Sequence, residues 1–249
     1  MDFRCSIIVP AHNCERYIGD CIRSVLAQTV DGWELLVIDD ASADRTADIA
    51  EEYAKRDPRI RVVRLESNRG AAEARNVGVR LAKYDWIALL DADDVWLPEK
   101  LECGKEAVAD GQTDFVYTGF SFMSEDGRPG KEKGAVPPTV TYSKLLGGNV
   151  IVCSSVLLRR ELLAGHPMLP GPWHEDFLCW LEILRSGARA RGISRPLVWL
   201  RQRPTSTTAN KFHSIRLTWS SYIRQGLSKP ACVRYLCSNI CHGIRRYFL

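Results

Sequence analysis

The sequence predicts an α/β fold: a mostly parallel sheet flanked by helices, followed by a helical C-terminal tail. Three observations predict it. Through the first hundred residues, short apolar runs alternate with segments of helical period, which is the rhythm of a doubly wound sheet. The run Trp86-Ile87-Ala88-Leu89-Leu90 is apolar throughout, as in a strand covered on both faces. Acidic residues follow two of the runs, as Asp39-Asp40 and Asp91-Ala92-Asp93-Asp94. They stand where an open parallel sheet has its ligand crevice.

In chain order, Cys5–Val9 reads as the first strand. A helix follows over about Cys14–Gln28, with Ile18, Cys21, Ile22, Val25 and Leu26 on one face. Glu34–Ile38 is the second strand. The next helix runs from Ser42, a candidate N-cap, to Arg56, although no Glu or Gln three residues on completes a capping box. Arg61–Leu65 is the third strand, Ala71–Leu81 a helix and Trp86–Leu90 the fourth strand. Beyond 110 the rhythm loosens. Asp114–Phe122 reads as a strand, 124–138 as a polar loop, Tyr142–Leu146 as a helix and Val150–Leu158 as a strand. The turn Pro167–Pro172 leads through Trp173-His174-Glu175-Asp176 into a helix that Gly187 stops. Ala190–Leu200 is extended. From His213 onward the chain reads as helical, broken at Lys229-Pro230.

Three carboxylates at the end of a buried strand repel one another and are costly to desolvate. A cation offsets that cost, and carboxylate oxygens are hard ligands suited to Mg²⁺ or Mn²⁺, which keep positions open for phosphates. The alternative is an acidic loop that only caps the next helix. No G-x-G-x-x-G follows the first strand and no G-x-x-x-x-G-K-[ST] occurs, which disfavours a dinucleotide oxidoreductase and a P-loop enzyme. A polar crevice with carboxylates suits a nucleotide carrying a metal-bound diphosphate.

At this point the chain resembles a known family, the inverting nucleotide-sugar glycosyltransferases of family 2, with their GT-A, Rossmann-like fold. The matching residues are Ser6-Ile7-Ile8-Val9-Pro10-Ala11-His12-Asn13, Ser24–Thr29, Val37-Ile38-Asp39-Asp40-Ala41-Ser42-Ala43-Asp44-Arg45-Thr46, Asn68-Arg69-Gly70 with Ala74-Arg75-Asn76-Val77-Gly78, Leu90–Asp94 and Glu175–Leu181. Their order and spacing over about 4–208 carry the resemblance. It implies that Asp39 holds the nucleobase edge, Asp93 a Mn²⁺ or Mg²⁺ ion, and Asp91 ribose or metal. Pro10, His12 and Asn13 would line the base and ribose pocket, and Asp176 would be the catalytic base. Two departures stand out. His12 replaces the family's usual aromatic residue. Arg201-Gln202-Arg203, with Ser206, fills the place of an R-x-H motif, so Arg203 could bind diphosphate but could not ligate metal.

The chemistry makes sense of these residues by itself. Glycosyl transfer builds negative charge on a leaving diphosphate, which a divalent cation neutralises. The acceptor hydroxyl needs a general base on the far side of the sugar, and a single displacement inverts the anomeric centre. Asp176, at a helix start, fits that role; the alternative is that Glu175 and Asp176 only cap the helix. Arg75 and Asn76 would touch diphosphate or else be solvated helix residues. Gly70 and Gly78 read as sites of close backbone approach. Trp33, Trp86 and Trp96 read as core, and Trp173 and Trp180 as sugar platforms.

The domain reading is a catalytic domain over 1–210, with a nucleotide-binding half (1–100) and an acceptor half (101–210), then a basic amphipathic tail over 211–249. The net charge of +4 hides an asymmetry: from 183 to 249 there are 13 Lys or Arg and no Asp or Glu. Such a segment is expected to meet an anionic surface. The nine cysteines form no C-x-x-C, and reduced thiols are expected. No signal peptide is read, so the expected location is cytoplasmic, with peripheral contact at the inner face of the cell membrane. The expected partners are a nucleotide-sugar donor, with UDP the first choice of base, and a glycan or lipid-linked acceptor. Nucleic acid is not expected, since the tail carries no recognisable binding motif. The rival to a metal-dependent hexosyl transfer in polysaccharide or glycolipid synthesis is a non-catalytic nucleotide-sugar or carbohydrate-binding module with the same fold.

Overall fold

The computed structural model describes residues 3–133, 136–203 and 211–248. Its first half repeats strand and helix: β1 (Cys5–Ala11), α1 (Ile18–Leu26), β2 (Trp33–Asp39), α2 (Thr46–Ala54), β3 (Ile60–Arg64), α3 (Gly70–Leu81) and β4 (Trp86–Leu89). These four strands are parallel and lie in the order β3-β2-β1-β4. Every residue of β1, β2 and β4 is buried, because helices cover both faces of the sheet.

The second half extends the sheet. After β5 (Val95–Trp96) and α4 (Lys100–Val108), β6 (Phe115–Met123) pairs in parallel with the long β10 (Ala190–Arg201). Between β4 and β6 lies β9 (Leu157–Arg159), antiparallel to both. The short strands β7 (Pro129–Lys133) and β8 (Thr139–Val140) pair antiparallel with β6 and β10. Helices α5 (Tyr142–Leu146), α6 (Arg160–Gly165) and α7 (Glu175–Arg185) precede β10, and α8 (Lys211–Arg224) and α9 (Lys229–Phe248) close the chain.

Four sequence expectations need correction. The polar loop 124–138 contains β7, an edge strand whose Pro-Gly-Lys-Glu-Lys sequence carries no apolar signal. The strand expected over Val150–Leu158 is a 3-10 turn, Cys153–Ser155, followed by β9. Ser42 is not a helix cap; α2 starts at Thr46, whose N–H donates to Asp44 Oδ1 at 2.9 Å. The tail breaks before Lys229, at Gly226 with φ +76°, and Pro230 occupies the first turn of α9, where a missing N–H costs nothing.

Two apolar layers sandwich the sheet. One joins Ile7, Val9, Leu35 and Val37 to α1 and α4. The other joins Ile8, Leu36 and Ile38 to α3, α7 and the inner faces of the tail helices. Gly78 exists for this packing, since a Cβ there would stand 2.4 Å from Ile8.

Candidate active site

The C-terminal ends of β1, β2 and β4 lie side by side, with Ala11 opposite Asp39 and Ile8 opposite Leu89. Two non-glycine residues turn the chain there through left-handed backbone, Asn13 (φ 48°) and Ala41 (φ 55°). The two turns lock together: Asn13 N–H donates to Ser42 Oγ at 3.0 Å, and Asn13 Oδ1 accepts from Ala43 N–H at 2.8 Å. Such strain persists only where the surroundings over-determine it. His12 belongs to the same lock. Its Nδ1 lies 2.8 Å from the Asp40 carbonyl oxygen, so Nδ1 carries a proton and Nε2 accepts from Asn13 Nδ2 at 3.1 Å. Pro10 is buried within β1, opposite Ile38.

The two carboxylates after β2 differ in use. Asp40 accepts the backbone N–H groups of Arg69 and Gly70, both at 2.7 Å, and so docks the start of α3 onto the crevice. Asp39 is 3% exposed; its Oδ2 takes a 3.3 Å contact from Ser42 N–H, and its buried Oδ1 has no partner among the described residues. A buried oxygen without a donor carries a desolvation cost that a ligand N–H would relieve. Gly70 is glycine because its φ is +84°, not for close approach as the sequence suggested, since a Cβ there would meet nothing within 4 Å.

The acids after β4 are each given a separate partner. Asp91 pairs with Arg75 at 2.6 Å. Asp93 pairs with Arg203 at 2.7 Å. Asp94 is buried; it accepts from Ser154 Oγ at 2.5 Å and from Arg201 N–H at 3.0 Å. Ser154 Oγ in turn accepts from Asp91 N–H at 3.0 Å, so one hydroxyl ties the first acid to the third. Burial, then the charge of Asp91, pushes the Asp93 carboxyl above the usual range, while Arg203 pulls it back. Burial and the neighbouring acids hold Asp94 well above that range.

Arg201 closes this region. Its side chain is nearly inaccessible and donates to the Asp93 carbonyl at 2.8 Å, the Glu125 carbonyl at 2.8 Å and Asp20 at 3.1 Å. The guanidinium groups of Arg201 and Arg203 lie 5.0 and 5.5 Å from the centre of the Tyr17 ring, whose hydroxyl donates to Glu125 at 2.8 Å. Sequence reading did not single out Tyr17, Glu125 or Ser154. The alternation Arg201-Gln202-Arg203 at a strand end was the available signal for both arginines, because period two puts them on one face.

Arg75 links the acid cluster to α7. It is 6% exposed, and beyond Asp91 it reaches Glu175 at 3.8 Å. Asp176 stands next in the first turn of α7, partly buried, its Oδ1 accepting from Phe177 N–H at 2.7 Å. Asn76 pins the preceding turn, exchanging hydrogen bonds with Met168 N–H at 3.0 Å and its carbonyl at 2.8 Å. Arg75 is therefore not a solvated residue, and the partly exposed Asn76 is tied to the Met168 backbone. Trp180 is not a platform: it is fully buried against Phe115, with ring centres 5.1 Å apart. Trp173 is partly exposed, donates to the Leu169 carbonyl at 2.8 Å and lies under Arg224. Trp33, Trp86 and Trp96 are core residues, as expected. Ser206 lies outside the described residues.

Among the described residues no three His, Cys, Asp or Glu side chains converge as a ready cage for a metal ion. Asp91 and Asp93 alone suit a cation that takes one or two carboxylates and completes its shell from water and substrate phosphate.

Comparison with known proteins accords with this geometry. A UDP-Glc:α-D-GlcNAc-diphosphoundecaprenol β-1,3-glucosyltransferase of Escherichia coli, WfgD, is 33% identical over 252 residues, covering 99% of this chain and 96% of that one. Among solved structures, Staphylococcus aureus TarS in complex with UDP-GlcNAc superposes with a TM-score of 0.74 at 20% identity, covering 98% of this chain and 73% of the other. The mannosyltransferase PcManGT of Pyrobaculum calidifontis, in complex with GDP-Man and Mn²⁺, gives 0.69 at 21% identity, covering 94% and 68%. Both likenesses support the GT-A fold read from the sheet. The sequence profile described as Glycosyl transferase family 2 matches residues 6–163, and with it this chain belongs to that family and is a glycosyltransferase.

Proposed function

We propose that the enzyme moves a sugar from a UDP-sugar to a hydroxyl of a lipid-linked glycan acceptor, with inversion at the anomeric carbon. The observation that carries this reading is Arg75: one buried guanidinium joins Asp91, beside the donor-side acids, to Glu175, the neighbour of Asp176. That bridge supports a reading in which the groups needed at the leaving diphosphate and at the attacking hydroxyl serve one crevice. The relative that acts on a diphosphoundecaprenol-linked acceptor supports the acceptor class.

The donor half would work as follows. Asp39 Oδ1, buried and without a donor, would accept a nucleobase N–H. His12, Asn13 and Pro10 would line the base and ribose pocket, with Gly70 at the start of α3 as a further donor contact. Asp93, with Asp91 beside it, would hold Mn²⁺ or Mg²⁺, since its carboxylate is crowded by burial and by a like charge. When bound, the cation would offset charge on the diphosphate. Arg203 would exchange its contact with Asp93 for the diphosphate oxygens, which a guanidinium binds in a fork.

In the acceptor half, Asp176 would take the proton from the attacking hydroxyl. Trp173 would bound the acceptor sugar. A lipid-linked acceptor implies peripheral work at the cytoplasmic face of the cell membrane. Among the described residues no helix is long and apolar enough to cross one.

The test is turnover of a UDP-sugar panel with Mn²⁺, comparing wild type with Asp176→Asn. Turnover should fall by at least about 10²-fold, the low end of general-base contributions, with donor affinity little changed. NMR should show an inverted product. Unchanged turnover would move the base elsewhere, with Glu175 first in line. Donor binding by the wild type with no turnover of any UDP-sugar would favour the non-catalytic binding module.

A further inference from the structure

The tail helices have two faces with different fates. The inner face of α8, carrying Leu217, Thr218, Ser221, Tyr222 and Gln225, is buried. Tyr222 is fully buried, and its hydroxyl donates to the Leu146 carbonyl at 2.6 Å. Cys232 of α9 is also fully buried. Packing on the core therefore does not account for the outer face. Phe212 is 85% exposed, Ile223 47%, Val233 52% and Ile240 38%. These four are among only six large apolar side chains exposed in the described residues, the others being Leu26 and Leu81.

The four are not scattered. Phe212, Arg216, Trp219 and Ile223 fall within about 60° of one another around α8, since helical residues advance about 100° each. Val233 and Ile240 share one side of α9 by the same spacing. Between the helices runs a groove of about 380 Å³ lined by Ile215, Arg216, Trp219, Ser220 and Leu236. Arg216 lines the groove, and Arg224, Lys229 and Arg234 are exposed elsewhere on the two helices. No acidic residue occurs anywhere in 183–249. An apolar stripe bordered by cations, with no acid to oppose them, fits a surface that is anionic outside and hydrocarbon beneath.

We propose that the outward faces of α8 and α9 are a docking surface for an anionic lipid bilayer, with Phe212, Ile223, Val233 and Ile240 entering the acyl boundary and the groove accepting a hydrocarbon chain. The surface is joined to the crevice. His174, immediately before Glu175 and Asp176, lies 3.0 Å from Ser214 Oγ, and Arg224 lies over Trp173. Docking would therefore hold the Asp176 turn above the membrane. The proposal rests on the lipid-linked acceptor reading for its use, but not for its test.

The test is co-sedimentation of the full chain with vesicles of phosphatidylglycerol in phosphatidylcholine, against phosphatidylcholine alone, at low and high salt, without donor or acceptor. The wild type should bind the anionic vesicles and be released by salt. Phe212→Ser with Ile223→Ser should lower partitioning at least about tenfold, as expected for two lost apolar anchors. Arg216→Gln with Arg234→Gln should lower it about 30-fold at low salt, about fivefold per charge. All four side chains are exposed, and unchanged melting curves would show that the fold is kept. Wild-type protein left in the supernatant at low salt would overturn the proposal. So would a dimer seen by light scattering and abolished by the Phe212 and Ile223 changes, which would assign the face to a second copy of the chain. Turnover on a soluble acceptor is read separately, so loss of vesicle binding leaves the catalytic reading standing.

Discussion

The two acidic strand ends, after β2 and after β4, look alike in sequence and are built in opposite ways. After β2, Asp40 is held by two backbone N–H groups and the neighbouring turns are clamped by Asn13 and Ser42. Among the described residues no arginine side chain pairs there, and one oxygen of Asp39 is left without a donor. After β4, two carboxylates answer to side-chain guanidiniums, Asp91 to Arg75 and Asp93 to Arg203. Backbone donors are fixed by the fold, whereas a guanidinium on a flexible stem can let go of one anion and take another. The first end is preorganised for a neutral edge of a ligand. The second is charge-balanced in a way that can be exchanged.

The largest expected effect breaks the exchangeable end. Asp93→Asn should lower turnover by about 10²–10³-fold, the range for losing one group that stabilises developing charge. Circular dichroism should be unchanged, because the Asp93 side chain pairs with the side chain of Arg203 at the end of the sheet. Activity close to wild type in that variant would show that the β4 end is as inert as a helix cap.

A smaller effect probes the fixed end. Asp39→Asn keeps the shape and removes the charge-assisted acceptor. Donor KM should rise about tenfold to a hundredfold with kcat little altered, matching one hydrogen bond to a charged group of about 1.5–3 kcal/mol. A fall in kcat at constant KM would place Asp39 in the chemistry instead and erase the distinction between the two ends.

The smallest effect sharpens the rule that buried charge here has partners. Lys100 is an exception, fully buried, with no hydrogen-bond partner for its Nζ among the described residues and the Trp96 ring at 5.1 Å. Burial lowers its pKa from 10.5 to about 8. The folded pKa lies below the unfolded one, so the cost to stability is fully present below about pH 8 and fades toward pH 10.5. That shift corresponds to about 3 kcal/mol, of which the ring returns about 1–2. Lys100→Met should therefore stabilise the fold by about 1–2 kcal/mol at neutral pH, measured by urea unfolding, and by nothing above pH 10.5. A gain that did not vary with pH would point to packing alone.

The sequence made the first half legible because each strand is apolar and each acid follows one. The succession of β1 to β4 along the chain, the burial of Trp33, Trp86 and Trp96, and the position of the acids at strand ends all follow from that pattern. Helix ends were read too long, since Glu15 and Asp44 bond to backbone in turns rather than helix. The second half was harder for physical reasons. β7 is a charged edge strand, and the 3-10 turn at Cys153–Ser155 has the apolar composition of a strand. Trp180 has the sequence neighbourhood of a site residue but faces Phe115, on the core side of α7. The pairing of Asp93 with Arg203 was invisible because it joins residues far apart in the chain.

Arg201 carries a consequence for how the protein is made. Its guanidinium binds the Asp93 carbonyl across 108 residues of chain. On the ribosome, Asp91–Asp94 emerge long before Arg201 and Arg203 do. Until then Arg75 is the one cation of this network already synthesised, and Asp94 lacks the backbone donor that Arg201 supplies. The early sheet can pair β1 to β4 but holds a cluster of like charges that resists burial. Completion of the site is thus deferred to the delivery of β10, and a nascent chain stalled before that strand would present an open acidic crevice to chaperones and free divalent cations.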